Sequence, residues 1–185
     1  MKYIAIKDIV ASISETHDFN KPSLLAINTS DIGGGQVSDV PYSKTTTLKG
    51  QFKKTIKTGD ILFSEIRPAN RRFAKVTMID TADYVVSTKL MVLRKFNDDV
   101  DLDYFYYCIT QQSFLNILQR RAENRICSFP QITFDLLGEY KLPIPPLSEQ
   151  RRIASIISAL DSKIAVNREI NRNLCASRAQ SQAAA

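Results

Sequence analysis

The chain has 185 residues, is 44% apolar and 24% charged, and carries a formal net charge of +6. That size supports one ordinary domain plus an appendage, with a hydrophobic core that needs neither disulfides nor metals. It contains no run of about eighteen apolar residues able to span a bilayer, and its opening stretch, broken by Lys2, Lys7 and Asp8, is not patterned as a secretory signal.

In chain order, Tyr3 to Val10 reads as a strand or a short helix, and Leu24 to Asn28 as a strand. Ile32 to Gln36 is expected to be a loop, because the glycines Gly33, Gly34 and Gly35 disfavour any regular element. Thr58-Gly59-Asp60 predicts a turn ahead of the apolar run Ile61-Leu62-Phe63. The β-branched and aromatic content of Phe73 to Ile79 and of Tyr84 to Val86 predicts strands, and Leu90 to Leu93 continues that pattern. A helix is expected near Asp101, with acidic residues suiting its first turn and with Tyr104, Phe105, Tyr106 and Tyr107 packing on a sheet. A second helix follows at about Gln112 to Arg121. Residues 1–146 therefore form a globular region mixing α and β, so the fold class is α+β with strand order open.

Pro143, Pro145 and Pro146 then crowd a short segment. They are expected to forbid both helix and sheet ladder and to act as a stiff extended hinge, where a floppy linker would use Gly and Ser. Residues 147–185 follow as one long helix, with Ser148 as its expected N-cap and Glu149 placing negative charge in the first turn. Ile153, Ile157, Leu160 and Ile164 recur at spacings of four, three and four, and the same rhythm continues through Asn167, Asn171 and Leu174. This is the 3.5-residue repeat of a coiled-coil seam, widened by Ile156 and Ile170. Asn at a seam position favours partners that can pair it, and so sets register and partner number. The alternative is an amphipathic helix lying on its own domain.

Catalytic patterns find little support. His17, read as a lone surface side chain, has no Ser or Cys partner by motif. The glycine run lacks the phosphate-loop pattern. Asp60 and Glu65 could pair at a nuclease metal site, but no lysine close in sequence completes it. Cys108, Cys127 and Cys175 are widely spaced without a CxxC pair, and read as small buried thiols of a cytoplasmic chain. No catalytic residue, metal or cofactor is assigned.

Positive charge gathers in the middle. Lys44 to Lys95 holds twelve Lys or Arg against four Asp or Glu, a balance of +8, and the acidic stretch Asp98, Asp99, Asp101 and Asp103 follows. A nucleic-acid footprint explains this, as does a solvated charged face. Candidate DNA contacts are the basic loop Arg67, Asn70, Arg71 and Arg72, then Ser87, Thr88 and Lys89, then Arg120, Arg121, Asn124 and Arg125, with Lys53 and Lys54 on phosphates. Arg suits guanine and Asn suits adenine, and both also hold phosphate oxygens.

The run Leu142-Pro143-Ile144-Pro145-Pro146-Leu147-Ser148-Glu149-Gln150-Arg151-Arg152-Ile153-Ala154, followed by Leu160-Asp161-Ser162-Lys163-Ile164 and Asn167, resembles the conserved region of type I restriction-modification specificity subunits. Gly59-Asp60-Ile61-Leu62-Phe63, Val86-Ser87-Thr88 and the aromatic helix from Tyr104 are similar to pieces of that family's target recognition domain. The resemblance implies that residues 1–146 are a target recognition domain reading one half of a bipartite double-stranded DNA site. It implies that residues 147–185 are a spacer helix pairing antiparallel with another. Adenine methyltransferase subunits would dock there, and a restriction subunit would join later. Members of full length carry two recognition domains and two spacers, whereas this chain has one of each. That departure predicts that two copies pair as a homodimer and read a symmetric, interrupted site. The rival reading is an interaction protein whose helix assembles subunits without reading DNA.

Overall fold

A computed structural model describes residues 2–48, 50–124 and 130–183, with side chains as far as Leu174. The opening stretch, left open between strand and short helix, divides into β1 (Lys2–Ala5), a 3-10 turn at Ile6–Asp8, and β2 (Val10–Ile13). β3 (Ser23–Ile27) follows as expected. The glycine run is a tight hairpin rather than an open loop. β4 (Ile32–Gly33) pairs with β5 (Gln36–Val37) across Gly34 and Gly35, whose φ angles of +62° and +84° are those a two-residue hairpin needs. Next come β6 (Tyr42–Lys44), the short helix α1 (Thr45–Leu48), β7 (Phe52–Lys54) and β8 (Ile61–Ser64).

β9 (Phe73–Lys75) is shorter than expected, and Ile79 is almost wholly exposed. The reason is the partner: Val76 still bonds the backbone of Asp60, but β8 gives way there to the turn around Gly59, leaving nothing to pair with beyond. β10 (Tyr84–Ser87) and β11 (Leu90–Lys95) complete the two main sheets. One has the order β2-β11-β8-β9 and is antiparallel throughout. The other has the order β6-β3-β10-β7, with β3 and β10 parallel and the remaining pairs antiparallel.

The layers follow from side-chain alternation. Ile61 and Phe63 of β8, with Met91 and Leu93 of β11, face α2 (Leu102–Thr110) and α3 (Gln112–Glu123) through Phe105, Ile109, Leu115 and Leu118. The intervening Leu62, Leu90 and Val92 face the second sheet through Ile27 and Val86. That is why β8 and β11 read as continuous apolar runs: both faces are covered. The far side of the second sheet buries Leu24 and Val85 against Leu48 and Phe52. Asp101 caps α2 by accepting from the Tyr104 N–H at 3.0 Å.

After α4 (Phe134–Gly138) the proline segment departs from expectation. β12 (Lys141–Ile144) pairs antiparallel with β1, placing Pro143 opposite Tyr3. In a two-stranded ladder alternate residues turn their N–H outward, so a proline is accommodated there. α5 (Leu147–Ala183) then starts one residue before Ser148. The Pro146 carbonyl takes the bonds from the N–H groups of Glu149 and Gln150, so Ser148 is not the N-cap. Gln150 and Ala154 are buried and Ile153 packs against the core, so the packed body continues past residue 146 into the helix. From Leu160 to Leu174 the side chains of α5 are exposed.

Candidate nucleic-acid interface

The chain leaves β8 at Ser64 and enters the basic loop. Ile66 bridges to Gln131, and the Arg67 N–H donates to the Pro130 carbonyl at 2.9 Å. Pro68–Asn70 forms a single 3-10 turn bracketed by Arg67 (φ +47°) and Arg71 (φ +55°). Left-handed backbone at two arginines is uncommon, stores strain of about 1–3 kcal/mol per residue, and persists only where surroundings over-determine it. Here α3 does so. The Ala69 N–H donates to Gln119 Oε1 at 3.1 Å, the Arg71 guanidinium donates to Gln112 Oε1 at 2.7 Å, and Arg71 also lies 5.6 Å from the centre of the Phe73 ring. Two clusters far apart in sequence, the basic loop and the helix carrying Arg120, thus become one surface.

That surface includes side chains the sequence reading passed over. Gln112, Asn116, Gln119 and Glu123 share one face of α3 with Arg120, and the Gln112 amide donates to Asn116 at 2.9 Å while Gln119 donates to Glu123 at 2.8 Å. Their three- and four-residue spacing was the signal available. Arg121 falls on the opposite flank of the buried stripe at 100° per residue, so it is not brought together with the loop. Asn124 is exposed just past the end of α3, and Arg125 lies outside the described residues.

Other candidates are turned inward. Lys54 is not a surface phosphate contact: its ammonium donates to the Leu90 carbonyl at 2.7 Å and lies 3.8 Å from Glu65, and burial lowers its pKa. Glu65 in turn accepts from Gln131 at 2.8 Å. Ser87 is only 1% exposed and its hydroxyl accepts from the Lys89 N–H, so it supports the turn from beneath and presents nothing outward. Arg72 ties the loop to the glycine hairpin by donating to the carbonyls of Ser30 and Ile32 at 2.8 and 2.9 Å. Lys53, Lys89, Asn70, Arg67 and Arg120 are exposed, and Thr88 is half-exposed. The Lys89 carbonyl accepts from the Glu65 N–H at 3.0 Å, which joins this turn to the base of the basic loop.

The catalytic alternatives are corrected by position. Asp60 and Glu65 sit at opposite ends of β8, about 16 Å apart at roughly 3.3 Å per residue. Asp60 is buried and holds Arg94 through two bonds of 2.8 Å, with the Lys57 N–H at 2.7 Å. His17 is buried, not on the surface; it bridges the Phe19 N–H and the Ala82 carbonyl. Part of the central positive charge is also consumed internally, because Lys75 pairs with Asp103 and Lys95 with Asp98.

The chain is thus an α+β body with a cation-and-amide face built on a strained loop, and with a long helix attached. Residues 2–175 match the type I restriction modification DNA specificity domain, and the chain belongs to that family. It is 39% identical over 174 residues to the type I restriction enzyme HindI specificity subunit of Haemophilus influenzae, a match covering 94% of this chain and 38% of that protein. Similarity to a putative type I restriction enzyme MjaX specificity subunit of Methanocaldococcus jannaschii is 30% over 140 residues, covering 72% and 32%. In fold it is similar to the HsdS subunit from Thermoanaerobacter tengcongensis, with a TM-score of 0.76 at 20% identity over 91% of this chain and 44% of that one. The S subunit from M. genitalium aligns with a TM-score of 0.58 at 14% identity, over 91% and 41%. The chain spans less than half the length of each of these relatives.

Proposed function

We propose that this chain reads one half of a bipartite double-stranded DNA site as a specificity subunit of a type I restriction-modification system, and supplies no catalytic group itself. The observation that carries this reading is the Arg67–Arg72 loop held in left-handed geometry against the amide face of α3, in a chain of the DNA specificity family. Rigid presentation suits base reading, because donors held in place lose little freedom on binding. Asn70 suits an adenine edge and Asn116 keeps its amide N–H groups for a base, Gln112 and Gln119 hold the loop in place, and Lys53, Lys89 and Arg120 suit phosphates. The partners are an adenine methyltransferase subunit and, through the complex, a restriction subunit.

The spacer role is proposed for α5. Beyond the body it exposes Leu160, Ile164, Ile170 and Leu174, with Asn167 and Asn171 in the same rhythm. Antiparallel pairing of two copies would bury this stripe and produce a two-fold dimer whose target is an interrupted palindrome. The test mixes chain, methyltransferase and duplex DNA and follows affinity against salt. Phosphate contacts predict a steep fall with rising salt, and absence of binding even at low salt would remove the DNA reading. Methylome sequencing of a host expressing the pair reads out the site, and sedimentation as a monomer at tens of micromolar would remove the homodimer.

A further inference from the structure

We propose that Gln150 is a positioning residue: it fixes the angle at which α5 leaves the recognition body, and so the spacing at which two half-sites are read. The spacing part rests on the DNA-reading function proposed above; the angular part does not. Gln150 is completely buried, in the first turn of α5. Its Oε1 accepts from the Asp101 N–H at 2.8 Å, and its Nε2 donates to the carbonyls of Asp99 and Pro145, each at 2.9 Å. A single amide thus joins the start of α5, the proline segment and the residue that caps α2.

The elements it joins are themselves anchored. Pro145 follows directly on β12, which is laddered to β1, and the Tyr104 hydroxyl donates to the Pro143 carbonyl at 2.8 Å. Ala154, one turn beyond Gln150, is buried, and Ile153 beside it packs against the core. The proline segment is therefore a strut, clamped at both ends. A buried methionine of similar size would fill the same space but would hold no direction. Three hydrogen bonds to backbone groups of two other segments do hold one, because each weakens steeply when its angle changes. Leverage makes the angle matter. α5 has 37 residues, so it is about 55 Å long at 1.5 Å per residue. A tilt of about 10° at its root moves the far end by roughly 10 Å, on the order of three base pairs at 3.4 Å each.

The experiment uses the full chain and two variants. Gln150→Met keeps volume and removes all three bonds. Gln150→Glu keeps an acceptor for Asp101 but turns a carboxylate toward the Asp99 and Pro145 carbonyls until it is protonated. Residual dipolar couplings come first, and need no DNA. In the parent chain one alignment tensor is expected to fit both the sheets and residues 147–174. In Gln150→Met the helix is expected to need its own tensor, with smaller couplings. In Gln150→Glu the single tensor should return on acidification, as the protonated acid donates again. Methylation is then measured, with the methyltransferase, on duplexes whose half-sites are separated by different lengths. Discrimination between adjacent spacings should fall on the order of tenfold or more in Gln150→Met, since ångström-scale misplacement changes rates on that scale, while base preference within each half-site stays the same. A single tensor in Gln150→Met, or an unchanged spacing profile, overturns the proposal. So does loss of the folded core in both variants, which would assign Gln150 to folding. If the methyltransferase together with the parent chain methylates no duplex, the DNA reading fails, while the couplings still decide whether Gln150 holds the helix.

Discussion

The root and the far part of α5 belong to one helix, yet different things cover them. At the root, Gln150 and Ala154 are buried against α2 and the strand ends, and Ile153 packs against the core. Farther on, Leu160 is 55%, Ile164 46% and Leu174 63% exposed. At 100° per residue Ile153, Ile157, Leu160, Ile164 and Leu174 fall within about 100° of one another around the axis. One apolar rhythm running from Ile153 to Leu174 therefore follows a single face in two stretches. The first is covered within the chain, and the second, from Leu160 to Leu174, is exposed. Periodicity reports that a face is apolar, but does not say how many partners divide it.

The comparison is broken most severely by charging the exposed stripe. Leu160→Asp with Ile164→Asp is expected to weaken self-association on the order of a thousandfold or more, because a buried aliphatic side chain contributes about 1.5–3 kcal/mol and a pair would contribute four. Sedimentation measures this. The same variant should leave the unfolding midpoint of the body in place. The next largest effect is at Phe105, fully buried between α2 and the first sheet. Phe105→Ala is expected to lower unfolding free energy by about 3–5 kcal/mol, whereas Leu160→Ala in the monomer should change it by less than about 0.5 kcal/mol. Urea titration separates the two.

Alkaline pH sharpens the contrast further, because the raised acids gather in α2. Burial pushes the phenol of Tyr106 up to about 12, raises those of Tyr104 and Tyr107, and raises the Cys108 thiol. Above the ordinary values of 9.0 and 10.0 the unfolded chain loses these protons while the folded chain keeps them. The unfolded state then binds fewer protons, so stability should fall as pH rises from about 9 toward 12. Lys54 works the other way, since its lowered pKa adds stability over part of that rise. The expected net slope is downward, and urea midpoints at several pH values test it. A flat or rising profile would show that these groups are solvated. The smallest effect is at Lys89. Lys89→Ala should leave stability within about 0.5 kcal/mol and reduce the slope of log affinity against log salt by about one unit.

Much of the body was legible in the sequence where local chemistry decides the outcome. The helix beginning near Asp101, the Gly59 turn, the second helix from Gln112 and the strands at Leu24, Tyr84 and Leu90 follow from first-turn charge, positive φ and side-chain bulk. Where the outcome depended on a neighbour, legibility ended. β9 stopped for want of a partner, and Pro143 entered a ladder because β1 was beside it. The candidate interface divides in the same way. Lys53, Asn70 and Lys89 are exposed, but Lys54, next to Lys53 in β7, and Ser87, at the end of β10, turned inward. The amides of α3 were overlooked because their meaning depends on the loop that packs beside them.

Residue order alone carries the family, and it carries the succession of a globular α+β region and a rod. That the basic loop and α3 form one face, that the proline segment is clamped, and which part of the rod is bare come from the folded packing. Each of these depends on contacts between residues distant in sequence, and a contact of that kind has no local period from which to be read.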